Sequence, residues 1–182
     1  MKRPILTFVI VALAFSTLLL MPPGFRAAPS PEPNISVVGY FGSDKAPRGR
    51  VLQASMVIDI PAGYHINSSR PLESYLIATQ LKVDAPNGVR VGPISYPAPL
   101  MRNFKFSQKK LSVYEGQARV RFSVTVPANY SGDSLELKAH VRLQSCNDEV
   151  CFPPKTYDKN LKIDVVGATE KVKSTNAWAF RR

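Results

Sequence analysis

The chain has 182 residues, 45% of them hydrophobic and 20% charged, which suits one globular domain and excludes disorder over the whole length. Lysine and arginine outnumber aspartate and glutamate by 24 to 13. These basic residues alternate along strand-like segments and form no stripe with stacking aromatics, so we expect no nucleic acid partner. The two cysteines exclude a disulfide-rich miniprotein and a four-cysteine zinc site.

The N-terminus has the pattern of an export signal. Residues 1–3 (Met-Lys-Arg) are positively charged, residues 5–21 carry no charge, and residues 22–24 (Pro-Pro-Gly) would end a helix. This order predicts a secretory signal peptide over residues 1–28, and an uncleaved N-terminal membrane anchor is the alternative. Either interpretation places the rest of the chain outside the cytoplasm.

The remaining chain divides into a linker, a domain and a tail. Residues 29–34 contain three prolines and predict a stiff linker, residues 35–167 predict the globular domain, and residues 168–182 form a polar, basic tail. Within the domain, apolar and polar residues alternate with a period of two, which is typical of strands with one face on a core. The clearest segments are 51–60, 118–126, 135–143 and 161–165, and the weaker ones are 35–41, 76–84, 89–96 and 111–114.

Turn sequences rich in glycine, proline and asparagine separate these segments. Seven to nine short strands of this kind indicate an all-β fold, an immunoglobulin-like antiparallel β-sandwich. The likeness is one of architecture only. Both cysteines lie close together and the single tryptophan lies in the tail, so the usual Cys–Trp–Cys core is absent.

The two cysteines lie near the end of the predicted domain. Cys146 follows a predicted strand and Cys151 opens the next segment, so a hairpin would bring their Cβ atoms within disulfide distance. A closed loop of about six residues contributes only about 2 kcal/mol to stability. Three interpretations stay open from the spacing: a local structural clip, a redox-active pair, and a metal site in which His65 and His140 are the only available histidines.

Three segments around these residues resemble one family. Residues 145–154 (Ser-Cys-Asn-Asp-Glu-Val-Cys-Phe-Pro-Pro) resemble the active-site hairpin of the N-terminal periplasmic domain of DsbD, the bacterial thiol:disulfide interchange protein. Residues 63–68 (Gly-Tyr-His-Ile-Asn-Ser) and 111–116 (Leu-Ser-Val-Tyr-Glu-Gly) resemble two further family segments in the expected order. The Cys-aromatic-Pro-Pro ending is the most specific part, and the resemblance covers residues 35–167.

The resemblance implies a reacting pair and a cap over it. Cys146 and Cys151 would cycle between dithiol and disulfide, and Cys151 would form the mixed disulfide with partners. A loop over residues 97–108 would cap the cysteines with Phe104 or Phe106 at its tip. Ordinary sandwich core is the alternative for both phenylalanines.

Two further residues fall at positions where some relatives carry active-site aromatics. His65 and Asn67 would then flank the sulfurs, and an uninvolved surface position is the alternative for His65. The spacing between the cysteines is one residue shorter than in one known relative, which bears on the redox potential of the pair.

The function implied is that of an electron carrier of the thiol:disulfide oxidoreductase type, with no cofactor and no metal. Electrons would pass from a membrane reductant to periplasmic thioredoxin-fold proteins. The 182 residues include no multi-span membrane domain, so the membrane electron transporter is expected to be a separate polypeptide. The alternative is a non-catalytic exported β-sandwich that binds a partner and carries a structural disulfide. No Ser/His/Asp constellation with a recognisable spacing indicates a hydrolase.

Overall fold

Strands dominate the structure, a computed structural model that describes residues 31–181. The predicted signal peptide or anchor over residues 1–28 lies outside the described residues. Within residues 31–181, no helix has the length and apolar character needed to cross a membrane. The elements in chain order are β1 (Ser36–Phe41), β2 (Ala46–Pro47), β3 (Val51–Asp59), β4 (His65–Asn67), β5 (Gln80–Asp84), β6 (Arg90–Val91), β7 (Leu100–Arg102), β8 (Leu111–Tyr114), β9 (Gln117–Thr125), β10 (Ser134–Leu143), β11 (Ser145–Cys146), β12 (Lys155–Val166) and the 3₁₀ helix Ala177–Phe180.

These strands form three four-stranded sheets. The first has the order β1-β3-β9-β6, the second β2-β12-β10-β5, and the third β11-β4-β8-β7. All neighbours pair antiparallel except β2 and β12, which are parallel. The prediction of an all-β, antiparallel fold is confirmed.

The alternating sequence pattern explains the core between the first two sheets. On β10 every second residue from Leu135 to Leu143 is buried, and on β9 the same holds from Ala118 to Val124. The intervening residues on both strands face outward and are partly or fully exposed. Burial of these two apolar rows against each other removes them from water, which is the main contribution to the stability of such a fold.

Seven of the strands have four or more residues, and each overlaps a segment predicted from the period of two. β12 begins six residues before its predicted segment, 161–165. The other five, β2, β4, β6, β7 and β11, have two or three residues. Three of these short strands belong to the third sheet, which carries the cysteines. The part of the molecule most relevant to function is therefore the part with the weakest sequence signal.

The basic tail packs back on the first sheet. The backbone N–H of Thr175 donates to the carbonyl of Gly42 (3.0 Å), and Ala179 is fully buried. The ring of Trp178 meets that of Tyr40 edge-on, with 4.8 Å between ring centroids. Residues 173–180 are thus held by hydrogen bonds and by aromatic packing.

Candidate functional site: a capped disulfide hairpin

The two cysteines face each other across a tight hairpin and form a disulfide, with 3.9 Å between their Cα atoms. Backbone hydrogen bonds close the hairpin on both sides of the pair, from Asn147 N–H to the Val150 carbonyl (2.9 Å) and from Phe152 N–H to the Ser145 carbonyl (2.8 Å). The cysteines therefore occupy a non-hydrogen-bonded antiparallel position, where opposite side chains approach most closely.

Asn147 determines the shape of the loop between the cysteines. Its side-chain carbonyl accepts hydrogen bonds from the backbone N–H groups of Glu149 (2.9 Å) and Val150 (2.8 Å). Such a turn, built by an asparagine side chain on its own backbone, reverses the chain within few residues. The four-residue loop is thus long enough to place the two sulfurs together.

The two halves of the disulfide differ in exposure. Cys146 is completely buried, whereas Cys151 is half-buried on the outer arm of the hairpin. An attacking thiolate must reach one of the two sulfurs along the S–S axis. Of the two cysteines, Cys151 is therefore the more accessible to an incoming thiolate.

His65 is the strand neighbour of Cys146. β4 pairs with β11 so that His65 lies opposite Cys146, and Ile66 lies opposite Ser145. The His65 side chain is only 2% exposed, so the surface position considered for it from the sequence is wrong. Its Nε2 atom is buried and has no hydrogen-bond partner within the described residues.

The cap loop places two aromatic rings over this histidine. Phe104 stacks on the imidazole with 4.0 Å between ring centroids, and Phe106 stacks on Phe104 at 5.5 Å. Phe104 also packs with Leu76 and with the buried β8 residues Leu111 and Val113, a cluster separate from the sandwich core. Phe106 is 37% exposed. Neither ring belongs to the main core, which was the alternative considered from the sequence.

Burial controls the protonation of His65. Loss of hydration lowers the pKa of the imidazole from 6.5 to about 4, and the negative charges of Glu115 and Asp148 oppose this change only in part. His65, Phe104, Glu115 and Asp148 also line a cavity of about 350 Å³ beside the hairpin. The imidazole is therefore neutral at pH 7 while the cap is closed.

Gln144 connects the hairpin to the neighbouring segments, and the sequence interpretation did not single it out. It sits between β10 and β11, where the chain passes from the second sheet to the third. Its Oε1 accepts from Asn67 Nδ2 (3.0 Å) and from the backbone N–H of Ile77 (3.1 Å), and its Nε2 donates to the Phe152 carbonyl (3.2 Å). The only sequence signal was its polar character two residues before Cys146.

Asn67 contributes to the same hydrogen-bond network. Its Nδ2 donates to Gln144 Oε1 and to the Ile77 carbonyl (3.1 Å), which fixes the orientation of the amide. Its Oδ1 is buried without a hydrogen-bond partner among residues 31–181. Asn67 thus holds β4 against the segment that leads into the cysteines.

His140, the other candidate metal ligand, lies away from this hairpin on β10. Its Nδ1 is 2.6 Å from Asp158 and its Nε2 is 3.2 Å from Asp84, on the two neighbouring strands. Residues 31–181 contain no group of three or more His, Cys, Asp or Glu side chains arranged to hold a metal ion. The structure does not bring His140 together with His65 and the cysteines.

Comparison with known proteins gives a family match and two informative solved structures. The family described as thiol:disulfide interchange protein DsbD, N-terminal, matches residues 41–163. The reduced N-terminal domain of DsbD from Neisseria meningitidis is 18% identical, with a TM-score of 0.43 over 70% of this chain and 88% of that chain. A search of curated proteins found no match.

The second structure supports the fold. The N-terminal periplasmic domain of ScsB from Proteus mirabilis is 13% identical and aligns over 86% of this chain with a TM-score of 0.51, and the alignment spans 55% of that chain. At this identity the likeness concerns architecture alone. The family match covers well over half of the sequence, including the hairpin and β4. The chain therefore belongs to the family of DsbD N-terminal domains.

Proposed function

We propose that this chain is an exported thiol:disulfide exchange module. In this proposal Cys146 and Cys151 cycle between disulfide and dithiol and carry electrons from a membrane electron transporter to thioredoxin-fold proteins. The compartment would be the bacterial periplasm, by analogy with the ScsB domain, which is described as periplasmic. Residues 1–28 would act as the export signal or as a membrane anchor.

The observation that carries the proposal is the unequal burial of the two cysteines of the disulfide. Cys151 is half-buried at the hairpin surface, and Cys146 is fully enclosed beside His65. This arrangement offers one sulfur to an incoming thiolate and retains the other as an internal resolving group. Phe104 stacks on His65, the strand neighbour of Cys146, so the predicted cap loop lies beside the enclosed cysteine.

A purely structural role for the disulfide accounts less well for the same geometry. The hairpin already has backbone hydrogen bonds on both sides of the pair. Closing a loop of about six residues contributes only about 2 kcal/mol in the chain-entropy model. A stabilising bond would also need no aromatic cap.

The reduction potential of the pair separates the two functions. Equilibration of the purified protein with glutathione or dithiothreitol buffers, followed by thiol alkylation, measures this potential. We expect a value between about −180 and −270 mV, the range of known exchange proteins. A value below about −300 mV would identify a structural disulfide and a binding module.

Partner trapping tests the relay directly. Cys146→Ala leaves Cys151 able to hold a mixed disulfide that cannot be resolved, and Cys151→Ala is the matched control because its remaining thiol is buried. We expect Cys146→Ala to capture thioredoxin-fold proteins in periplasmic extracts and Cys151→Ala to capture few or none. Equal capture by both variants, or capture by neither, would contradict the proposed roles.

A further inference from the structure

A row of side chains crosses the third sheet at the level of the disulfide. Cys146 on β11 lies opposite His65 on β4. On the other side of β4, Ile66 pairs with Tyr114, so the next residue of that chain, Glu115, lies at the level of His65. Arg102 holds the Glu115 carboxylate with three hydrogen bonds, from Nε to both carboxylate oxygens (3.1 Å each) and from Nη2 to Oε2 (3.0 Å).

This row has the order thiol, imidazole, carboxylate, which is the arrangement that activates cysteine nucleophiles in other proteins. His65 and Glu115 also line the same cavity. The unpaired Nε2 of His65 is unusual, because nearly all buried polar atoms have a hydrogen-bond partner. A phenylalanine at position 65 would stack on Phe104 equally well, so stacking alone does not explain why this residue is a histidine.

We propose that His65 transfers the proton of Cys146 Sγ during exchange, and that the cap loop controls when it can do so. This inference rests on the exchange chemistry proposed above and assigns the acid–base residue of the same site. Glu115, held by Arg102, would stabilise the imidazolium that forms. The titratable or charged groups around the imidazole are Cys146 on β11, Glu115 after β8, Asp148 in the hairpin loop, Tyr64 beside it and the exposed Lys105 in the cap loop.

The chemistry of each direction balances. In reduction, the partner's thiolate attacks Cys151 Sγ, the S–S bond between Cys146 and Cys151 breaks, and Cys146 Sγ leaves with the electron pair. Once the cap loop has moved away, the hydrated imidazole of His65 takes up a proton from solvent, gives it to this thiolate and returns to the neutral form. In the reverse direction, His65 removes the proton of the Cys146 thiol, and the thiolate attacks the mixed disulfide at Cys151 and releases the partner's thiolate.

The position of the cap loop gives His65 two states, one dehydrated and one hydrated. While Phe104 covers the ring, the imidazole is dehydrated, its pKa is about 4, and it is a poor base for a thiol. When the loop moves away, the ring is hydrated and its pKa returns toward the ordinary value near 6.5. A base with a pKa near the working pH is the most effective one. Cap opening would thus activate His65 as the base for Cys146.

The resolution step can be timed without a protein partner. Reduced protein is mixed with one equivalent of dithiobis(nitrobenzoate), a chromogenic disulfide; Cys151 releases the first nitrothiolate, and Cys146 releases the second. The second rate is followed from pH 6 to pH 9 for the wild type and for His65→Phe, which keeps a ring to stack on Phe104. We expect the variant to be slower by at least about tenfold at pH 7, and to recover as pH approaches the pKa of an unassisted thiol.

Two further variants make the test specific. Phe104→Ala should accelerate the second release in the wild-type background and have little effect in the His65→Phe background. Glu115→Gln should slow the release less than His65→Phe does. Equal rates and pH profiles for Phe104→Ala and for the double variant Phe104→Ala/His65→Phe, in which Phe104 no longer covers the ring, would overturn the inference. That outcome would leave the measured reduction potential and the trapping result, which test the relay itself, unaffected.

Discussion

Protonation of His65 should make the free energy of unfolding of this domain depend on pH. Burial lowers the pKa of His65 from 6.5 to about 4 in the folded protein. Between these two values the unfolded chain binds a proton at this position and the folded chain does not, so the free energy of unfolding rises with pH. The contribution is present in full above about pH 6.5 and is lost as pH falls toward 4.

The shift gives the size of the effect. The lowering of the His65 pKa from 6.5 to about 4 corresponds to about 3 kcal/mol of the free energy of unfolding, which is lost completely once the pH is below both values. At pH 5 the loss attributable to His65 is about 2 kcal/mol, and at pH 7 it is close to zero. Such a loss is a large fraction of the stability of an ordinary domain.

Urea unfolding of the oxidised protein at pH 7 and pH 5 measures this contribution. Other groups also titrate in this range, so the quantity of interest is the difference between the wild type and His65→Phe. We expect the wild type to lose about 2 kcal/mol more than the variant between the two pH values, with similar denaturant slopes. Equal losses in the two proteins would refute the reasoning that a neutral, buried imidazole lies under Phe104.

Three other substitutions and one truncation test the packing around the site and in the sandwich. Gln144→Ala removes three hydrogen bonds, including the one to the Phe152 carbonyl, and should cost about 1–3 kcal/mol in urea unfolding and speed disulfide reduction by dithiothreitol. Gly39→Ala should cost about 1–3 kcal/mol, because the added Cβ would overlap the side chain of Leu161, whereas Gly63→Ala meets no atom but has a positive φ and should cost less. Truncation after Gly167 removes the docked tail and should lower the thermal midpoint by several degrees, with the disulfide potential unchanged.

The period-two segments were predictable because both faces of each long strand carry a consistent signal. On β10, five buried apolar residues alternate with polar ones, and this pattern alone specifies strand, face and core. The same reasoning did not predict β4, β7 and β11. A strand of two or three residues contains at most one repeat of the pattern, so its pairing is decided by the strands beside it.

The candidate site was predictable in part, through residues with distinctive chemistry. Cys146 and Cys151 stand out by type and spacing, and the resemblance pointed to His65 and to the phenylalanines of the cap. Gln144 and Glu115 could not be identified in this way, because an amide or a carboxylate on a predicted strand or turn is ordinarily a solvated surface group. Their roles depend on which backbone groups and side chains the fold places within hydrogen-bond distance.

The sequence by itself determined that this chain is an all-β domain with one cysteine pair that a hairpin could join. Those features follow from local alternation and from a loop length, both of which are properties of neighbouring residues. Only the tertiary structure decided that Cys146 is enclosed, that His65 is its strand neighbour and that Phe104 covers the imidazole. These contacts join residues that are 39 to 81 positions apart, as the numbering shows. Burial and long-range register, which set the protonation of His65, have no local signature in a sequence.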